Sequence, residues 1–248
     1  MTETPLEEVA NLIAKSKHLV VFTGAGVSTE SGLSDYRGPD GVWTRRDKGL
    51  GPKPGPAIDQ VRPNASHKAI VDLQDLGLLK YLISQNVDNL HLQSGIHEDN
   101  LAELHGNINL LRCSGCDTKF TLADVRWDRR KFGPGYKKQN AHPNQPTCTK
   151  CGSRLYSSVV NFGDAMPEAE TTLAYEHAGK ADVMLVVGST LRVFPAAELP
   201  IVTKRNGGKL VIVNIGETGL DEMADYRIEG KAGEILPVMV AKVKSLLE

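Results

Sequence analysis

The chain has 248 residues, 40% of them hydrophobic and 24% charged, with a formal net charge of −1. That length and apolar share suit one large domain, or one domain with a small insert, and exclude a disordered chain. The near-neutral charge argues against whole-molecule attraction to nucleic acid or anionic membrane, and the 5% aromatic content argues against a base-stacking surface.

The opening MTETPLEEVANLIAKSK is acidic and then amphipathic. It has no apolar core of the kind a signal peptide needs, so none is expected. No window reaches the ~18 apolar residues of a membrane span. A soluble, intracellular protein without a membrane partner is therefore expected, cytoplasmic in a prokaryote and with a nuclear setting open in a eukaryote. The short ends suggest a bare catalytic or binding core.

Along the chain, apolar runs at His18–Phe22, Tyr81–Ser84, Ser158–Phe162, Asp182–Val187 and Lys209–Val213 read as buried strands, with Asp225–Ile228 a weaker sixth. Helical spacing separates them, at Leu6-Val9-Leu12-Ile13, at Ile70-Leu73-Leu76, and over Pro167–Ala178, Ala196–Lys204 and Gly233–Leu247. Strands alternating with helices predict an α/β fold: a Rossmann-like parallel sheet with helices on both faces. Two stretches interrupt the pattern. Gly38–Asn64, rich in Gly and Pro, reads as a long loop. Residues 112–154 hold all four cysteines and little apolar periodicity, and read as a small zinc-binding inserted module. The Rossmann-like domain then comprises 1–111 and 155–248.

Cys113-x-x-Cys116 and Cys148-x-x-Cys151 form two knuckles separated by residues 117–147, longer than the usual zinc-ribbon gap. Each knuckle places two thiolates on one tight turn, with Gly115 and Gly152 easing the turn, and together they suit a closed, structural Zn2+ site. A redox pair and free thiols are the competing readings. The insert carries ten basic against three acidic residues. This is either a solvated surface or a patch for an acidic partner, with weak nucleic-acid contact open.

Gly24-Ala25-Gly26 follows the first strand and allows a tight turn with close approach to a pyrophosphate. Thr29 stands where a third glycine would, and polar residues follow where a helix should open. No acidic residue ends a second strand ~20 residues on, which disfavours a hydride-transfer dehydrogenase. Polar clusters end other strands: Gln85-Asn86-Val87-Asp88, Gly188-Ser189-Thr190 and Asn214. A parallel sheet would gather them at one edge as a ligand cleft. His105 sits between such a cluster and the insert, with His91 a weaker rival.

Together the segments GAGVSTESGLSDYRG, SQNVDNLH, LAELHGN, both CxxC pairs, VVNFGD, GST and VIVN resemble the sirtuin family of NAD-dependent protein deacylases. The stretch Asp35 to Thr44 is most similar to the class IV branch, that of sirtuins six and seven. The resemblance implies NAD as co-substrate, bound by Gly24, Ala25, Gly26 and Thr29, by lid residues Asp35, Tyr36, Arg37 and Trp43, by Gln85, Asn86, Asp88 and His105, and on the adenosine side by Gly188, Ser189, Thr190, Asn214, Gly216 and Ala232. The lid would order over the nicotinamide ribose as substrates bind. The resemblance also implies that an acyl-lysine carbonyl oxygen attacks C1′ of the ribose and expels nicotinamide. His105 is the implied base that activates a ribose hydroxyl, and water then yields lysine and O-acyl-ADP-ribose. Val160, Asn161, Phe162 and Gly163 match a strand that pairs with an acyl-lysine protein or peptide, a histone or chromatin protein among the options.

Four departures from the family pattern stand out. Tyr36 replaces a usual Phe, Asn89 a usual Gly, and Asn161 and Asp164 depart from the commoner VxFGE. If position 89 has positive φ, Asn is the least costly replacement for Gly. No Tyr-x-x-Arg pair stands in the lid, so a negatively charged acyl group is not favoured. Mono-ADP-ribosyl transfer to protein is the alternative enzyme reading. A non-catalytic NAD or ADP-ribose sensor is the alternative of another class.

Overall fold

A computed structural model of the chain describes residues 5–248; Met1 to Thr4 of the acidic opening lie outside the described residues. In chain order the elements are α1 (Pro5–Lys15), β1 (Leu19–Thr23), α2 (Val42–Asp47), α3 (Ala65–Asp75), β2 (Leu79–Ser84), α4 (Leu90–Ser94), β3 (Leu101–Glu103), β4 (Leu110–Cys113), β5 (Lys119–Thr121), α5 (Arg129–Phe132), β6 (Leu155–Ser157), α6 (Glu168–Lys180), β7 (Val183–Val187), α7 (Glu198–Arg205), β8 (Lys209–Asn214), β9 (Tyr226–Glu229) and α8 (Ala232–Leu247).

Six of these strands form one sheet in the order β3-β2-β1-β7-β8-β9. Every pairing in it is parallel. Side chains on a strand alternate between faces, and here both faces are buried. Val21, Leu185, Val187, Val211 and Val213 pack with Val9, Ile13, Ile70, Leu73, Leu236 and Met239 from α1, α3 and α8. Val20, Phe22, Met184, Val186, Leu210 and Ile212 pack with Ala174, Ala178 and Leu199 from α6 and α7. Double burial explains why these strands read as unbroken apolar runs.

The strand order reverses between β1 and β7. At such a switch point the two following loops diverge to opposite sides and leave a crevice at the carboxyl ends of the strands. Here the two loops touch. Gly24 N–H donates to Val187 O at 3.0 Å and Gly26 N–H to Gly188 O at 2.8 Å. A Cβ on Gly188 would lie 2.3 Å from Val27 N, and its φ of +63° disfavours any side chain. Gly188→Ala should therefore cost about 3 kcal/mol, from strain and overpacking combined. Thermal unfolding would show this as a melting temperature lower by roughly 6–12 °C. An unchanged melting curve would contradict the contact between these loops.

The second sheet is antiparallel, in the order β5-β4-β6, and spans Leu110 to Ser157. Its own small core is Leu111, Phe120, Val125, Trp127 and Leu155 with the Cys113 and Cys148 side chains.

Three expectations need correction. Ser158–Phe162 is not a strand: β6 ends at Ser157, and of that segment Ser158 N–H meets Leu110 O and Val160 N–H meets His105 O, with no ladder beyond. Its apolar composition does not mark burial, since Phe162 is 78% exposed. The Gly38–Asn64 loop contains the short helix α2. Directly after Gly24 a helix does open, over Ala25–Ser31, but it is 3-10 and ends at left-handed Gly32. Among the described residues, no helix is long and apolar enough to cross a membrane.

Candidate active site and metal centre

The carboxyl ends of β1, β2, β3, β7 and β8 carry Gly24, Gln85, His105, Gly188 and Asn214 at or just past the strand, and α8 opens at buried Ala232 after β9. Hydrogen bonds tie several of these segments together. Gln85 Nε2 donates to Ser189 Oγ at 2.8 Å, joining the β2 and β7 loops across β1. Ser28 Oγ donates to Asp88 Oδ2 at 2.7 Å, and Asn86 Nδ2 donates to Ser28 Oγ at 3.2 Å. Asp88 Oδ1 accepts the Leu90 N–H at 2.9 Å. Burial raises the Asp88 pKa, against the pull of these donors. Asn89, at the head of α4, has φ of 68°, so a residue that tolerates the left-handed region stands where that region is required.

His105 is half-buried. Its Nδ1 lies 2.9 Å from Gln85 O. A carbonyl only accepts, so Nδ1 carries the proton and Nε2 keeps its lone pair. Burial lowers the imidazole pKa, while the carbonyl contact works the other way. The backbone around it is fixed from the other side. Val160 N–H donates to His105 O at 2.9 Å. Asn107 N–H donates to Ser158 Oγ at 3.0 Å, and Ser158 Oγ donates to Asn107 O at 2.8 Å. A Cβ on Gly106 would fall 1.9 Å from Ser158 O, so only glycine fits after His105.

The segment from Asp35 to Trp43 folds on itself. Asp35 Oδ1 accepts the Gly38 N–H at 2.9 Å, and Trp43 N–H donates to Tyr36 O at 3.0 Å. The Arg37 guanidinium lies 4.5 Å over the Trp43 ring. Trp43 stands between Tyr36 and Phe162, with centroids at 5.1 and 5.6 Å, so the Asp35–Trp43 segment meets the Val160–Gly163 segment through aromatic contact.

Other candidate residues are engaged locally. Thr29 Oγ1 donates to Gly26 O. Asn214 Nδ2 donates to Ile215 O and Gly216 O, while Thr190 O accepts the Gly219 N–H. Sequence reading missed Ser28, whose partner Asp88 is sixty residues away. It also missed Glu30, whose carboxylate accepts the Gly233 N–H in the first turn of α8, and Arg227, which donates to Asn214 O. Two surface cavities, of ≈ 360 Å³ beside Glu170 and ≈ 540 Å³ between α1 and α8, are lined by none of the candidate residues.

In the second sheet the four cysteine sulfurs lie within 4.8 Å of one another. Cys113 and Cys151 are 3.3 Å apart, and Cys116 and Cys148 are 3.6 Å apart. Four thiolates around zinc at ~2.3 Å would sit about 3.8 Å apart. Backbone N–H groups of Gly115 and Lys150 point at Cys113 Sγ and Cys148 Sγ, as a knuckle requires. The four cysteines are positioned to bind one zinc ion, with every ligand position filled by protein.

A family model described as the Sir2 family matches residues 55–195, more than half of the chain. A protein named NAD-dependent protein deacetylase from Caldivirga maquilingensis is 40% identical over 258 residues, covering 97% of this chain and 94% of the relative. One named NAD-dependent protein deacylase from Pyrococcus abyssi is 38% identical, covering 97% and 99%. Deacetylase SRT1 of Arabidopsis thaliana is 40% identical over 95% of this chain, but the chain spans only 48% of its length. Among solved structures, a Sir2 homologue–NAD complex matches with a TM-score of 0.74 at 34% identity, over 98% of this chain and 95% of that one. A Sir2–p53 peptide–NAD+ complex matches with a TM-score of 0.74 at 32% identity, over 98% and 99%.

Proposed function

The chain belongs to the Sir2 family, and from that premise we propose that it is an NAD-dependent protein-lysine deacylase releasing nicotinamide and O-acyl-ADP-ribose. The observation that carries the reading is the setting of His105. Its Nδ1 is held by Gln85 O. Gln85 is in turn held to Ser189 on the far side of the β1 loop, and the His105 carbonyl is held by Val160. One imidazole thus stands between the polar strand-end cluster and the exposed segment that continues to Phe162. That is where a base must stand if it is to serve both a nucleotide ribose and an acyl-lysine peptide.

In this reading the β1 and β7 loops take the pyrophosphate side of NAD, Asn86 and Asp88 line the nicotinamide ribose, and Asn214, Gly216 and Ala232 lie toward the adenosine. The acyl-lysine oxygen attacks C1′ and nicotinamide departs. Nε2 of His105 then accepts a ribose hydroxyl proton, so that this hydroxyl can attack the former acyl carbon. The Trp43–Phe162 contact supplies an apolar wall that limits water until the acyl group has moved. Zinc, held by Cys113, Cys116, Cys148 and Cys151, has no open position for substrate and serves the fold. The p53 peptide complex of a relative supports an acyl-lysine protein or peptide as the substrate class.

Mass spectrometry of the protein with an acetyl-lysine and a myristoyl-lysine peptide, with and without NAD, tests this. The expected result is NAD-dependent loss of the acyl group with O-acyl-ADP-ribose formed, and the two peptides rank the acyl chains. ADP-ribose on protein without deacylation would replace this reading with transfer. Bound NAD with no nicotinamide released would leave a sensor.

A further inference from the structure

The segment Asn161–Asp164 lies on the peptide side of the site, with Asn161, Phe162 and Gly163 exposed. No sheet holds it. Within the turn, Asp164 N–H donates to Asn161 O at 2.9 Å, and Asn161 N–H donates to Asp164 Oδ2 at 3.2 Å. Outside the turn, Phe162 packs against Trp43, and polar support comes from the 112–154 module. Lys138 Nζ lies 2.9 Å from Asp164 Oδ1 and donates to Gly163 O at 3.1 Å. One ammonium therefore holds both the carboxylate and the carbonyl of the turn.

The pair is asymmetric. The Lys138 side chain is 67% exposed, but that of Asp164 is 7% exposed. An ion pair open on both sides contributes little. Here, removing the lysine strips the Asp164 carboxylate of its main partner and opens it to water. The loop carrying Lys138 is itself braced. The Arg154 guanidinium donates to the carbonyls of Tyr136, Lys137 and Gln139. Arg154 stands three residues beyond Cys151, beside β6. A continuous strut thus runs from the second knuckle through Arg154 and Lys138 to the turn after Phe162.

We propose that Lys138 is a positioning residue for the substrate peptide: through Asp164 and Gly163 the inserted module fixes the turn against which the acyl-lysine peptide lies. The proposal rests on the deacylase reading above. Without Lys138 the turn keeps its own two hydrogen bonds and the Phe162–Trp43 ring contact, and the peptide must order its Gly163–Asp164 end on binding. The strut bonds to the turn and not to the NAD-side loops or the His105 imidazole, so the deficit belongs to peptide binding rather than to the chemical step.

Steady-state deacylation of an acetyl-lysine peptide by the wild-type chain, K138A, K138R, D164A and K138A/D164A tests it, with thermal unfolding of each. K138A should raise the peptide KM roughly three- to tenfold, with kcat, the NAD KM and the melting temperature unmoved. K138R should restore the KM, and K138A should add nothing in the D164A background. An unmoved peptide KM in K138A overturns the proposal. So does a joint loss of kcat, NAD affinity and stability, or an additive double variant. A wild-type chain without deacylase activity overturns the parent reading as well, whereas wild-type activity with a KM indifferent to K138A overturns this one alone.

Discussion

His105→Ala is expected to slow NAD-dependent deacylation by roughly 10²–10⁴-fold, the range a positioned general base contributes. The fold should survive, because the side chain is half-buried and its one hydrogen bond among the described residues is to Gln85 O. The loss should fall unevenly on the reaction. Departure of nicotinamide requires attack by the acyl oxygen at C1′ and no proton acceptor, so peptide-dependent nicotinamide release should persist in the variant. Formation of O-acyl-ADP-ribose needs the ribose hydroxyl deprotonated and should collapse. Measuring both products in one time course separates the two steps. Equal loss of both would move His105 to the first step, and no loss of either would remove it from the chemistry.

The pH profile of kcat/KM gives a second reading of the same group. The working form is the neutral imidazole. Burial moves the His105 pKa below 6.5, and the Gln85 carbonyl only partly opposes this. Activity should therefore fall on the acid side with a midpoint below pH 6.5, with no loss from this group on the alkaline side. An acid limb centred above pH 6.5 would contradict the assigned environment.

Much of this was legible in the chain because double burial leaves a strong signal. The runs behind β1, β2, β7 and β8 have apolar side chains on both faces, and β1 and β7 are buried at every position. The tight Gly24–Gly26 and Gly188 turns were legible for a related reason, since a Cβ at either loop would overlap the other. The strand β3 was not, because three residues at a sheet edge carry no period. Ser158–Phe162 misled because its apolar residues are not core: Phe162 is exposed and packs against Trp43. Ser28 was invisible for the opposite reason. It is one hydroxyl among several in a polar stretch, and only the fold brings Asp88 and Asn86 to it. Lys138 likewise looked like one more cation on a basic surface until the turn at Asp164 gave it a partner.

Loss of the zinc should be the other large effect. Cys113 and Cys148 are buried within a core of only a few apolar side chains, too small to hold the second sheet by itself. Structural zinc contributes about 10–16 kcal/mol in isolated zinc-finger peptides, so Cys148→Ser or strong chelation should unfold residues 110–157. The damage should spread by a definite route. Arg112, one residue before Cys113, reaches out of the small sheet to Glu170 of α6 at 2.6 Å, and both side chains are 8% exposed. Withdrawing Arg112 leaves a buried carboxylate short of a partner, a loss of roughly 3–5 kcal/mol in comparable pairs. It would also free the segment from Ser158 to Asp164, which leans on Leu110 O at one end and Lys138 at the other. Metal analysis should find one zinc per chain, and deacylation should fall with its removal. A fully active chain holding no zinc would reject the metal centre. The loops at the β1–β7 switch hold each other by their own backbone bonds and need nothing from the insert. NAD binding should therefore outlast peptide binding as zinc is withdrawn, and calorimetric titration of each ligand into the chelated chain would show which is lost first.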